Sequence, residues 1–137
     1  MMEMRRQFPG NPLRISEMRD FIRAGCHSVW TDASDDATIS QLELAVSEAG
    51  SNIVLHGLEG QRERSIELLL NIDDQQASVT FMYTGCTFTP SAVPKPNFSG
   101  NAERGYGLYL MQQSVNQVSF SRDDSGLCTI RLVKNRK

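Results

Sequence analysis

Residues Glu43 to Gly57 read ELAVSEAGSNIVLHG, and this stretch decides how the rest of the chain is interpreted. Apolar residues recur at helical spacing from about Ile39 to Leu55, which predicts a helix. Glu48 and Asn52 lie four positions apart in that pattern. On a helix this spacing places both polar side chains on one face, one turn apart.

The Glu48 and Asn52 pair fits two interpretations. Asn52 offers an amide carbonyl oxygen, a ligand type that Mg²⁺ accepts, and Glu48 can orient or deprotonate an attacking hydroxyl or water. The same spacing also fits an exposed pair of side chains that is merely solvated. Spacing alone does not separate the two, so the surrounding segments decide.

The segments on either side of this helix predict an α+β domain. Asn11 and Pro12, a cap and a first-turn proline, precede an earlier helical pattern, and two β-like runs joined by a polar turn predict a hairpin. The order β-α-α-β-β-loop-α-β-β predicts a two-layer α/β sandwich, with a mixed, mostly antiparallel sheet and helices on one face. The predicted elements besides the central helix are a strand before the first helix, a helix over Leu13–Trp30, strands Ser65–Ile72 and Ala77–Tyr83, a helix from Gly105 to Val115, and strands Val118–Ser121 and Cys128–Val133.

The composition changes between Gly85 and Arg104, where three prolines occur and apolar periodicity is lost. A loop of this length is usually functional, and we expect a lid over residues 86–104. After it, Gly105 and Gly107 open a helix, where bare backbone N–H groups and the helix dipole can hold phosphate. By itself a G-x-G pattern is also compatible with an ordinary helix-entry turn.

With these parts in place, the chain resembles the anti-sigma-factor serine-protein kinase group of the Bergerat-fold (histidine-kinase-like) ATPases. The resemblance implies that fold, ATP and Mg²⁺ as cofactors, Glu48 as the catalytic base and Asn52 as the Mg²⁺ ligand. It also implies a nucleotide-binding role for Gly85, Arg104, Gly105, Gly107 and Leu108. The matching stretches are Glu43–Gly57, Tyr83–Pro90 (YTGCTFTP) and Glu103–Gln117 (ERGYGLYLMQQSVNQ).

The chain departs from the family in the stretch that should recognise adenine. The family usually shows D-x-G-x-G-F there, and this chain has Tyr83 in place of the aspartate and Thr87 in place of the second glycine. In the family the carboxylate accepts a hydrogen bond from the adenine amino group. A hydrogen bond to a charged group contributes about 1.5–3 kcal/mol, or roughly ten- to a hundred-fold in affinity. We therefore expect adenine recognition to be weakened.

Three functions remain open on this sequence. The first is a partner-switching regulator of the anti-sigma-factor type, which binds a sigma factor or a STAS-type antagonist protein with weak or no nucleotide binding. The second is an active ATP-dependent kinase that phosphorylates the antagonist on serine. The third is a structural or oligomerising domain that keeps the site residues without using them, and the resemblance also makes a homodimer one option.

Length, charge and composition limit the other classes of function. The chain has 137 residues and a net charge of −2, and we expect a single domain over residues 1–137. No apolar run is long enough to span a bilayer and the N-terminus lacks a signal-peptide pattern, so we expect a cytoplasmic protein. The basic residues Lys134, Arg136 and Lys137 are too few for a nucleic-acid footprint, and we expect a solvated, frayed tail.

The chain has three cysteines, an odd number at wide spacing and without a C-x-x-C pattern. We expect Cys26, Cys86 and Cys128 to be reduced thiols.

Overall fold

The computed structural model describes residues 1–57, 64–84 and 103–137. No helix in these ranges is both long enough and apolar enough to cross a membrane. The described elements are β1 (Met2–Pro9), a 3₁₀ turn (Pro12–Arg14), α1 (Ile15–Val29), α2 (Asp35–Asn52), a π-helical turn (Ile53–Gly57), β2 (Ser65–Ile72), β3 (Gln76–Thr84), α3 (Glu103–Ser114), β4 (Gln117–Arg122) and β5 (Leu127–Asn135).

The described strands form one five-stranded sheet in the order β1-β2-β3-β5-β4. Each pair of neighbouring strands is antiparallel, so the predicted mixed sheet has no parallel pair in the described part of the chain. The predicted hairpin is confirmed, with Leu68 of β2 opposite Phe81 of β3. The α+β fold class is confirmed, and β3 lies at the centre of the sheet.

The helices cover one face of the sheet, and the core lies between the two layers. Alternate residues of β2 face the helices and are buried, as the period of a strand requires. Helix α1 approaches the sheet closely at Gly25, where a Cβ atom would lie 2.4 Å from Leu70 Cδ2 and 2.9 Å from Met4 Sδ. Trp30 is fully buried after α1, and its Nε1 donates a hydrogen bond to the Asp73 carbonyl oxygen at 2.7 Å.

Helix α2 begins at Asp35, four residues before the predicted start at Ile39. The prediction interpreted residues 32–36 as a polar break because they carry no apolar periodicity. Asp35 and Asp36 instead occupy the first turn, where carboxylates interact favourably with the helix dipole. The helix therefore begins with acidic residues rather than with the first apolar one.

The predicted frayed tail is wrong. Arg136 forms a two-pronged ion pair with the buried Asp35, with Nε 2.9 Å from Oδ1 and Nη2 2.8 Å from Oδ2. Lys134 Nζ donates hydrogen bonds to Gln41 Oε1 and to the Ser114 carbonyl oxygen. These partners are distant in sequence, so local charge density could not reveal them.

The cysteine prediction is correct at Cys26, which is buried and free. It is wrong at Cys128, which is disulfide-bonded. Cys86 lies outside the described residues. Spacing along the sequence does not say which strands and loops bring two thiols together, and the prediction rested on spacing alone.

Candidate functional site

Helices α2 and α3 bring three of the predicted site residues together. A Cβ atom built on Gly107 of α3 would lie 3.1 Å from Glu48 Oε2 and 3.9 Å from Asn52 Oδ1. Glu48 and Asn52 therefore lie on the face of α2 that contacts α3. Because glycine has no side chain, the α3 backbone at Gly107 can come this close to the Glu48 carboxylate.

Packing around this contact fixes the approach of α3. Gly107 is buried, and the next residue, Leu108, is half-buried and packs against the main hydrophobic core. Met111, one turn further along α3, is fully buried. Residues 107, 108 and 111 thus form the inward face of α3 through the 3.6-residue period of the helix. The core holds the helix beside α2.

The Glu48 carboxyl group is half-buried, and burial raises its pKa from the ordinary value. Desolvation disfavours the charged form, so the carboxylate holds a proton more readily than an exposed glutamate does. A carboxylate shifted in this direction is a better general base near neutral pH. The raised pKa depends on burial in the folded protein, which the residue type alone does not reveal.

The α2 side of the site offers oxygen donors that fit Mg²⁺. Glu48 Oε2 and Asn52 Oδ1 are hard oxygen donors of the kind that Mg²⁺ prefers, and both lie around the place that a Cβ on Gly107 would fill. Among the described residues no cluster of three or more His, Cys, Asp or Glu side chains could hold a metal by itself. Asn52 would hold a Mg²⁺ ion here, with the Glu48 carboxylate beside it.

The adenine side does not fit the family pattern. Tyr83 is only 3% exposed and lies near the end of β3, opposite Cys128 of β5 and in phase with the buried Phe81. Burial raises the pKa of its phenol to about 12, so it stays neutral at pH 7. Tyr83 is thus a core side chain and offers no carboxylate to an adenine amino group.

Several predicted residues are described only in part. Arg104 and Gly105 lie in α3, which begins at Glu103, so the last two positions of the predicted lid are helical. Gly85, Thr87 and lid positions 86–102 lie outside the described residues. Their predicted roles stay predictions.

Sequence reasoning missed a groove beside the site. It has a volume of about 440 Å³ and lies between α1 and α2, where Arg19, Arg23, Leu44 and Glu48 line it. Ser47 also lines it, and its Oγ is buried without a hydrogen-bond partner among the described residues. The groove forms only where α1 and α2 pack side by side. The helical pattern of either segment does not show which helices become neighbours.

Comparison with known proteins agrees with this fold. The "Anti-sigma F factor" proteins of Bacillus thuringiensis (strain Al Hakam) and Bacillus mycoides (strain KBAB4) are each 25% identical over 100 residues, covering 70% of this chain and 68% of theirs. A solved histidine kinase domain, from the Erythrobacter litoralis EL346 blue-light activated histidine kinase, superposes with a TM-score of 0.52 at 14% identity. That alignment covers 91% of this chain but 61% of the solved one, and it supports the fold alone.

The sequence pattern of the histidine kinase-like ATPase domain matches residues 8–134. The match spans all the described helices, and it includes Glu48, Asn52 and Gly107. The chain therefore belongs to the histidine kinase-like ATPase domain family.

Proposed function

We propose that this chain is a partner-switching regulator of the anti-sigma-factor type, which binds a sigma factor or a STAS-type antagonist protein in the cytoplasm. Its similarity to anti-sigma F factors supports the class of partner. The buried Tyr83 is the observation that places the emphasis on binding rather than on phosphoryl transfer. A neutral phenol inside the core cannot replace the carboxylate that the family uses for adenine.

The groove between α1 and α2 supports a role in protein binding. It is open to solvent and combines two arginines with Leu44, a large apolar side chain that is 43% exposed. Arginine and apolar side chains are common at the centres of protein interfaces. Glu48 lines the same groove, so a partner bound there would lie next to the candidate site.

A second candidate function is an ATP-dependent serine-protein kinase. The meeting of Glu48, Asn52 and Gly107 favours it, because a carboxylate and an amide oxygen lie together beside the close approach of the α3 backbone. When bound, Mg-ATP supplies the phosphoryl group to be transferred. Asn52 would hold the metal and Glu48 would accept the proton of an incoming serine hydroxyl, while Gly85, Arg104, Gly105, Gly107 and Leu108 would hold the nucleotide.

Two measurements on the wild-type protein test these functions. Isothermal titration calorimetry with each sigma factor and STAS-type antagonist of the source organism is expected to find one partner with a micromolar or tighter Kd, without added nucleotide. Thermal unfolding with millimolar Mg-ADP is expected to show little stabilisation. A ligand present at 100 times its Kd would add about 2.7 kcal/mol.

The outcomes separate the two functions. Failure to bind any of these partners would contradict the regulator. A clear rise in the unfolding temperature with Mg-ADP would favour the kinase, which would then be tested by serine phosphorylation of the antagonist. A Tyr83→Asp variant, which restores the carboxylate of the family pattern, tests whether Tyr83 limits nucleotide binding. Because this variant buries a charge and is less stable to begin with, the shift caused by Mg-ADP is compared within each variant. Tyr83→Asn is the neutral control.

A further inference from the structure

The last residues of β5 contact both helices that form the candidate site. Lys134 Nζ donates a hydrogen bond of 2.6 Å to Gln41 Oε1 on α2. The same ammonium group donates a hydrogen bond of 2.9 Å to the carbonyl oxygen of Ser114, the last residue of α3. One side chain from the sheet therefore joins α2 to α3.

The turn that follows α3 is also fixed to β5. The Asn116 backbone N–H donates to the Val133 carbonyl oxygen at 2.8 Å. The Asn135 backbone N–H donates to the Asn116 side-chain oxygen, also at 2.8 Å. These bonds and the Lys134 bond hold the end of α3 at three neighbouring points.

The other side of the same segment is anchored at the start of α2. Arg136 pairs with Asp35 in the first turn of α2, and its backbone N–H donates to the Gln75 carbonyl oxygen at 2.8 Å. We call residues 133–136 the C-terminal clasp. The clasp contacts the first turn of α2 and the last turn of α3.

The Lys134 ammonium group interacts favourably with the carbonyl groups at the end of α3. The last four carbonyl groups of a helix lack partners within the helix, and a cation near them is favourable. Helix α3 has no basic residue in its own last turn. Lys134 supplies the missing charge from another element, and partial burial lowers the pKa of its ammonium group from the ordinary value.

The position of the Ser114 end of α3 affects where Gly107 lies near the beginning of the same helix. Gly107 lies seven residues before Ser114, which is about 10 Å along a helix axis. The core contacts of Leu108 and Met111 hold the middle of α3. Loss of the Lys134 bonds frees the end of the helix and lets it tilt about that middle, which shifts Gly107 relative to Glu48. A Cβ position on Gly107 lies only 3.1 Å from Glu48 Oε2, so even a small shift of α3 changes this close approach.

We propose that Lys134 is a positioning residue for the candidate site, holding α3 against α2 so that Gly107 stays beside Glu48 and Asn52. The proposal rests on the proposed function in one respect: the α2–α3 contact is where the kinase candidate would bind nucleotide. Its structural part stands independently of whether nucleotide binds.

The test compares Lys134→Met with wild type by hydrogen exchange and by Mg-ADP titration. Methionine keeps much of the apolar stem and removes the ammonium group. We expect the amides of residues 107–114 to exchange about ten-fold faster or more, while those of β2 and β3 change less. If wild type binds Mg-ADP measurably, the Kd of the variant is expected to be at least about three-fold higher.

Three variants serve as controls. Lys134→Arg keeps the charge and donors and is expected to restore slow exchange in α3. Arg131→Met removes an exposed cation from the same strand and should change neither readout. Arg136→Met opens the other side of the clasp, and we expect it to lower overall stability without the selective loss of α3 protection.

Unchanged exchange in α3 of Lys134→Met would overturn the proposal, as would an equal acceleration in α3, β2 and β3. Selective acceleration that Lys134→Arg reverses would support it. If wild type binds no Mg-ADP, the kinase candidate fails, and the exchange data still decide the role of Lys134.

Discussion

Glu48 is half-buried between α2 and α3, where burial raises the pKa of its carboxyl group. The folded protein therefore binds this proton more tightly than the unfolded chain does. Stability is lost as the pH rises from the unfolded pKa, about 4.3, through the raised folded pKa. The group suited to act as a base thus destabilises the fold at neutral pH.

We predict that Glu48→Gln raises the unfolding temperature at pH 7, because glutamine has nearly the same shape and no charge to desolvate. The gain should vanish below about pH 4, where the wild-type carboxyl group is protonated in both states. Thermal unfolding from pH 3 to pH 8 measures this. Glu3→Gln, at an exposed position, is the control; equal unfolding temperatures of the two variants at pH 7 would contradict the prediction.

For individual residues, the sequence indicated part of the site. The four-residue spacing of Glu48 and Asn52 was enough to place them on one helical face. The resemblance identified Tyr83 as the substituted position. Neither could show that the Tyr83 ring lies in the core, because burial depends on how β3 pairs with β5.

Among the described glycines, Gly25 of α1 is the one where an added Cβ would meet the nearest neighbour. A Cβ there would lie 2.4 Å from Leu70 Cδ2, and Leu70 is fully buried, so it has little freedom to move. Overpacking of this kind destabilises by about 1–3 kcal/mol, and the better helix propensity of alanine offsets about 1 kcal/mol. Steric conflict therefore dominates.

We predict that Gly25→Ala lowers the free energy of unfolding by up to about 2 kcal/mol. Gly50→Ala is the matched control in α2, where a Cβ would meet the flexible Met18 Sδ at 3.2 Å and should be tolerated better. Urea unfolding of both variants measures the difference. A Gly50→Ala protein less stable than Gly25→Ala would argue against this account of the contact.

Element boundaries were predictable where the pattern is local. Strand β2 has the predicted limits, Ser65–Ile72, because apolar residues occupy every second position from Ile66 to Ile72. The start of α2 was predicted four residues late, since electrostatic capping leaves no apolar period to detect. Pairings such as β1 with β2 depend on residues about 60 positions apart, and hydrophobic patterning does not encode partner choice.

Across the whole molecule, the Asp35–Arg136 ion pair joins two distant parts of the chain. The hydrogen bond from Arg136 is the largest cause that lowers the pKa of Asp35 below its ordinary value. A carboxyl group with a lowered folded pKa stabilises the fold above its unfolded pKa, near 3.9, and this contribution is lost as the pH falls through the folded value.

We predict that Arg136→Met lowers the unfolding temperature at pH 7. The deficit should shrink as the pH falls below about 4, because wild type then loses the same ion pair. Thermal unfolding monitored by circular dichroism measures both effects, with Arg131→Met as the control on the same strand. A deficit that stays constant down to pH 2 would mean that packing of the Arg136 side chain, rather than its charge, provides the stability.

The same ion pair has a consequence for synthesis on the ribosome. Asp35 and Arg136 lie 101 positions apart, and β5 belongs between β3 and β4 in the sheet. At about 5–20 residues per second, translation takes roughly 5–20 s to travel from one partner to the other. Once β3 has been made, its edge stays unpaired until β5 follows, and Asp35 has no arginine partner until Arg136 is added. An unpaired strand edge favours association with other chains, so the incomplete chain is more prone to aggregate than the finished one.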